Sequence, residues 1–191
     1  MILPLYILTG GKSSRFGQDK AFYSLPDGLL WYQHVYQSMG IDQHNVVLVQ
    51  PQEHPHPQLT ERVIADTPPG IGPLGGMQAA LQDRLNHTGA GWILLASCDL
   101  IHPSALWVTE LMQARPEGCQ AVVFKTDRFH PFPGLFHTAA LPAIGSAIAA
   151  QRRSLQSLLN QIQTAVVPYL ANEGPPQANT PDELMRLWDN P

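Results

Sequence analysis

The amino-acid sequence predicts an α/β domain, a three-layer αβα sandwich around a mostly parallel sheet. Short apolar runs alternate along the chain with stretches of helical periodicity, the pattern of strands joined by crossover helices. The 191 residues are 44% hydrophobic, enough for a sizeable core. They hold no internal repeat, low-complexity tract or interdomain linker, so one domain is expected over residues 1–191.

The apolar run Ile2–Leu8 reads as a buried strand that opens into the loop Thr9–Lys20. Leu29–Met39 carries a helical apolar stripe, with Gly40 suited to a left-handed cap. Val46–Val49 and Arg62–Ala65 are the second and third strands, separated by a proline- and histidine-rich connection. The stretch Pro68–Gly76 leads into a helix expected at Met77–Leu85. Trp92–Ala96 is a strand. The helix after it is expected to take Pro103 into its first turn, where the missing amide costs nothing. Ala121–Phe124 is a strand, Thr138–Ala150 and Ser154–Ile162 are helices, and Ala165–Pro168 is a late strand. The last helix starts at Thr180-Pro181-Asp182-Glu183, a capping box with proline at the first helical position.

Composition excludes several classes. Charged residues are 14% of the chain and the formal net charge is −4, so no basic face exists to neutralise a nucleic-acid backbone. Met1–Thr9 is too short and too uncharged for a signal peptide. No apolar run approaches the roughly 18 residues of a membrane span. The expected setting is cytoplasmic, without nucleic-acid or membrane partners. Cys98 and Cys119 give neither a disulfide framework nor a metal-ligand spacing, and Cys98 reads as a buried small hydrophobe.

Two phosphate-binding motifs are present in form only. Gly11-Lys12-Ser13 resembles the end of a Walker A loop, but Tyr6 stands where that motif needs its first glycine. Gly70-x-Gly72-x-x-Gly75 matches the dinucleotide fingerprint, yet Thr67-Pro68-Pro69 separates it from the strand and Pro73 removes an amide from the cradle.

The chemistry is concentrated in Leu8-Thr9-Gly10-Gly11-Lys12-Ser13-Ser14-Arg15-Phe16-Gly17-Gln18-Asp19-Lys20. Of the chain's three lysines, Lys12, Lys20 and Lys125, two fall in this loop. Gly10 and Gly11 let backbone amides approach a ligand, and Ser13 and Ser14 add hydroxyl donors. Arg15 offers a bidentate phosphate contact and Lys20 a compact point charge. Such a loop at a strand's carboxyl end points to a polyphosphate ligand. Asp66 and Asp99 follow two further strands and reach the same sheet edge, where one or two carboxylates with substrate oxygens would hold Mg²⁺. Capping of the next helix is the competing role for either acid. His54 and His56, in His-Pro-His-Pro, read as solvated loop. His130 is open between loop packing and an acceptor contact. Trp31, Trp92, Trp107 and Trp188 read as core.

The loop resembles the GGxSxRxGxDK signature of nucleotidyltransferases. Gly72-Pro73-Leu74-Gly75-Gly76-Met77, Cys98-Asp99, Arg152-Arg153 and Asn179-Thr180-Pro181-x-Glu183-Leu184 are similar, in the same order, to the MobA-type molybdenum cofactor guanylyltransferases. Leu30-Trp31-Tyr32-Gln33-His34-Val35 is similar to that family's first helix. The resemblance implies a Rossmann-like fold of the nucleotide-diphospho-sugar transferase type and GMP transfer from GTP to molybdopterin with Mg²⁺. It also implies that Leu8, Thr9, Gly10, Gly11 and Lys20 hold the nucleotide, that Asp66 contacts it, and that Asp99 binds the metal. Arg15, Arg152 or Arg153, and Asn179 would lie on the acceptor side, with Arg15, Lys20 and Asp99 catalytic. Cofactor-biosynthesis or molybdoenzyme-delivery proteins are the implied protein partners. The chain departs from the family's pattern in the glycine loop, one residue shorter than usual between Phe16 and Lys20, and at Gln50-Pro51-Gln52, Ile101 and Gln177. A CTP- or sugar-phosphate-using relative and a catalytically silent GTP-binding partner remain open.

Overall fold

The computed structural model describes residues 3–10, 16, 19–51, 59–170 and 173–189. Seven strands form one sheet in the order β3-β2-β1-β4-β6-β5-β7. The strands are β1 (Leu5–Leu8), β2 (Val46–Gln50), β3 (Arg62–Ala65), β4 (Trp92–Ser97), β5 (Ala121–Lys125), β6 (Phe129–His137) and β7 (Thr164–Pro168). Only β6 runs against the others, pairing antiparallel with β4 and β5. The helices are α1 (Trp31–Ser38), α2 (Pro73–Thr88), α3 (Ala105–Gln113), α4 (Leu141–Ala149), α5 (Leu155–Gln161) and α6 (Pro181–Trp188).

Both faces of the sheet are covered, which explains why the inner strands are apolar throughout rather than alternating with polar residues. Leu5 and Ile7 of β1 point into a core shared with α1, α3 and α6. Tyr6 and Leu8 point into a second core under α2, α4 and α5. This is the expected three-layer sandwich. Trp31 is fully buried, and Trp92, Trp107 and Trp188 pack against the first core. Among the described residues no helix is long and apolar enough to cross a membrane.

Three local expectations are corrected. Helix α2 starts at Pro73 and not at Met77, because Pro73 is preorganised for the first helical position behind Gly72, whose φ of 79° suits glycine. Gly75 and Gly76 therefore lie inside the helix. Pro103 precedes helix α3 instead of entering it, and the Ser104 hydroxyl caps by accepting from the Leu106 amide at 3.2 Å. Strand β6, Phe129–His137, is not among the elements expected from the sequence, and its Pro131 and Pro133 are ill suited to a continuous ladder. The ladder accommodates them by a break: Val123 pairs with Gly134 and Phe124 with His130, leaving residues 131–133 outside the pairing.

The order of strands positions the site. From β1 the sheet grows one way through β2 and β3 and the other way through β4. The carboxyl ends of β1 and β4 therefore lie side by side at the switch point of the strand order, the usual position of the ligand crevice in open α/β sheets.

Candidate active site

Lys20 and Asp99 meet in that crevice. Asp19 and Lys20 close the glycine loop that follows β1 in the sequence. The Asp19 carboxylate caps the short 3-10 turn Lys20–Phe22 by accepting from the Ala21 amide at 3.1 Å. Strand β4 delivers Asp99 from the adjacent position. Lys20 Nζ donates to Asp99 Oδ2 at 3.2 Å, to the Ala178 carbonyl at 3.1 Å and to Asn179 Oδ1 at 3.3 Å. Its ammonium also lies 5.8 Å from the Phe16 ring centre and 5.9 Å from that of Trp31, at the outer limit of cation–π attraction.

The acceptors on Lys20 come from a segment about 80 residues beyond Asp99 in the chain. The Ile101 amide donates to the Pro176 carbonyl at 2.9 Å and the Ala178 amide to the Asp99 carbonyl at 3.1 Å. Leu100 and Gln177 form an antiparallel bridge between them. Below this seam the Trp31 indole N–H donates to the Leu100 carbonyl at 2.8 Å, so a residue expected only as core also fixes the loop that carries Asp99. No sequence signal marks the Ala178 carbonyl, because every residue carries a backbone carbonyl whatever its side chain.

Asp99 has one oxygen in use and one free. Its Oδ1 is buried with no hydrogen-bond partner, a costly state that a ligand would relieve. Neither Asp99 nor Asp66 caps a helix, since Gly72 and Ser104 occupy those positions. Asp66 extends the sheet by donating its amide to the Gln50 carbonyl at 2.9 Å, and its Oδ1 is likewise buried and unpartnered. The order β3-β2-β1-β4 puts Asp66 roughly 14 Å from Asp99 at ordinary strand spacing. The two acids are thus too far apart to hold the same ligand atom. Among the described residues no three His, Cys, Asp or Glu side chains gather into a metal cage. The Asp99 carboxylate, completed by substrate oxygens and water, would give a donor set of the kind that Mg²⁺ takes.

The other expected residues have distinct places. Leu8 is buried against α2, and its carbonyl accepts from the Cys98 amide at 3.2 Å. Thr9 is buried and both its amide and its hydroxyl donate to the Val49 carbonyl at 3.0 Å. These two fix the carboxyl end of β1 between its neighbours. At Gly10 a Cβ would come within 3.0 Å of the Pro51 ring, so glycine lets the chain pass. Arg152 and Arg153 are exposed in the turn between α4 and α5. That turn reaches the same sheet edge, because Gln156 of α5 exchanges hydrogen bonds of 3.1 and 2.7 Å with the backbone of Phe129 at the start of β6. The structure does not bring either arginine to the Lys20 cluster. Gly11 and Arg15 lie outside the described residues, as do Lys12, His54 and His56. His130 is 2.8 Å from the Thr126 hydroxyl and faces Gly174, a packing role. Burial, with the Asp99 charge adding to it, pushes the Cys98 thiol far up, which removes it as a nucleophile.

Comparison with known proteins bears on the fold and the family. The model of the family described as MobA-like NTP transferase domain matches residues 5–166. A "Probable molybdenum cofactor guanylyltransferase" of Deinococcus radiodurans is 31% identical over 97% of this chain and 95% of its own length. A protein of the same name from Synechococcus elongatus is 30% identical over 95% of each. Molybdopterin-guanine dinucleotide biosynthesis protein A from Archaeoglobus fulgidus shares the fold with a TM-score of 0.77 at 21% identity, covering 98% of this chain and 97% of that one. The 2-C-methyl-D-erythritol 4-phosphate cytidylyltransferase of Thermus thermophilus shares it with a TM-score of 0.70 at 15% identity, over 99% and 98%. Fold, crevice and sequence likeness lead to one conclusion: the chain belongs to the MobA-like NTP transferase family.

Proposed function

We propose that this protein transfers GMP from GTP to molybdopterin, releasing pyrophosphate and forming the molybdopterin guanine dinucleotide, with Mg²⁺ as cofactor. The observation that carries the reading is the meeting of Lys20 and Asp99 at 3.2 Å in the β1/β4 crevice, joined to relatives named for this activity.

The acceptor's terminal phosphate is already ionised near neutral pH, so positioning and charge neutralisation matter more than deprotonation. One acceptor oxygen attacks the α-phosphorus of GTP in line. The bond from that phosphorus to the bridging oxygen breaks, and pyrophosphate leaves with the electron pair. The Lys20 ammonium stabilises the charge that builds on the phosphoryl oxygens. Asp99 orients Lys20 through Oδ2 and offers Oδ1 to the cation. A Mg²⁺ ion held by Asp99 would neutralise phosphate charge. Asp66 takes a part of the nucleotide remote from the reacting phosphorus, and Asn179 borders the acceptor.

An Asp99→Ala variant should lose at least about a hundredfold in turnover, the scale of one lost electrostatic stabiliser. Pyrophosphate release is measured with molybdopterin, Mg²⁺ and each nucleoside triphosphate in turn. Undiminished release by the folded variant overturns the assignment. Preference for CTP would redirect it to a cytidylyl transfer, and binding of GTP with no turnover by the unaltered protein would leave a silent binding partner.

A further inference from the structure

The acceptors Ala178 and Asn179 reach Lys20 at a sharp turn into α6, and that turn is fastened from both sides. Upstream, residues 176–178 are tied to Asp99 and Ile101. Downstream, Glu183 Oε2 accepts the Asn179 backbone N–H at 2.7 Å. That is one residue before the Thr180 N-cap, whose own hydroxyl accepts from the Glu183 amide at 3.2 Å. An ordinary capping box returns the acid to the cap residue itself. Here the acid reaches past the cap to the residue that touches Lys20.

We infer that Glu183 is a positioning residue for the transfer: by fixing the Asn179 amide it sets the two acceptors, Ala178 O and Asn179 Oδ1, that aim the Lys20 ammonium. Lysine carries its charge on a flexible four-carbon stem, so its direction is decided by its acceptors. The Glu183 side chain is long enough to reach back to the Asn179 backbone N–H at 2.7 Å, and so holds an otherwise exposed Asn179. The effect belongs to the reacting state, so it should show in kcat more than in binding. The inference rests on the proposed guanylyl transfer for its kinetic half only.

Two substitutions separate reach from charge. Glu183→Asp keeps the negative charge at the N-terminus of α6, where the helix dipole favours it, but is one methylene too short. Glu183→Gln keeps the reach and loses the charge. Kinetics with GTP are measured beside acylation of each lysine in the substrate-free protein, read by mass spectrometry with Lys125 as reference. Glu183→Asp should lower kcat at least about tenfold with KM for GTP within about twofold, and raise Lys20 acylation severalfold. Glu183→Gln should stay within about threefold of the unaltered protein in both readings. Impairment of the Gln variant instead, or no change in Lys20 acylation with Asp, overturns the inference. Labelling needs no turnover, so an inactive parent protein with Lys20 freed in Glu183→Asp would sink the proposed activity and leave the positioning role standing.

Discussion

Lys20 illustrates how one side chain can be specified by groups scattered along the whole chain. Its acceptors form a fan suited to an ammonium with rotatable donors. A guanidinium presents its donors in a rigid plane and cannot meet the same fan. Lys20→Arg should therefore lose about 10- to 100-fold in kcat, the equivalent of one charged hydrogen bond at roughly 1.5–3 kcal/mol. Steady-state assay checks this, and full activity in the Arg variant would mean that charge alone suffices. Lys20 and Asp99 were legible in the sequence because cations in a glycine loop and an acid after an apolar strand are side-chain signals. The Ala178 carbonyl and the Trp31 indole contact were not, because one is a backbone group and the other belongs to a residue that also satisfies every criterion of core.

Helix α2 shows the same division at the scale of an element. At the far end it is bolted to the sheet: the Tyr6 hydroxyl donates to Asp83 at 2.6 Å and Arg62 Nη1 donates at 2.7 Å. Burial pushes the Asp83 carboxyl up, but the bonds from Arg62 and Tyr6 and the Arg62 charge outweigh it and hold it below the ordinary range. At the site end the helix relies on having no side chains. A Cβ on Gly75 would fall 2.7 Å from the Pro68 carbonyl oxygen, and one on Gly76 would fall 2.7 Å from Leu8 Cδ2. Alanine ordinarily gains about 1 kcal/mol over glycine within a helix. Here the backbone clash reverses the sign, and Gly75→Ala should cost about 1–3 kcal/mol, read by denaturant unfolding; a stabilised variant would contradict this packing. Composition revealed these glycines but assigned them to a loop, because proline and glycine together normally punctuate. Their actual use, close approach of helix and strand, depends on a neighbour distant in sequence. Strand β6 was missed for the related reason that a ladder break tolerates prolines which a continuous ladder would not.

For the whole molecule, acid should loosen the fold well before its carboxylates titrate. Burial pushes the imidazoles of His34, His130 and His137 down; Asp27 opposes this at His34, while Arg128 adds to it at His130 and Arg84 at His137. In the unfolded chain each returns to about 6.5. Below that value the unfolded state binds more protons, so stability falls with pH. The contribution is fully present above about pH 6.5 and is lost as pH drops toward the folded values. Thermal unfolding followed from pH 7.5 to 5.5 should show a falling Tm, by about 2–4 °C for each kcal/mol lost. His34→Gln should make the slope shallower, and an unchanged slope would count against His34. The sandwich itself was legible from periodicity, since both-faces-buried strands and amphipathic helices leave unmistakable patterns, whereas the meeting of distant segments does not. That meeting has a temporal side. Ribosomes make Lys20 long before Ala178, so a growing chain can assemble its sheet while the ammonium still lacks its downstream partners. The proposed transfer then draws on the late-made residues 178 and 179 as well as on the first-made strand.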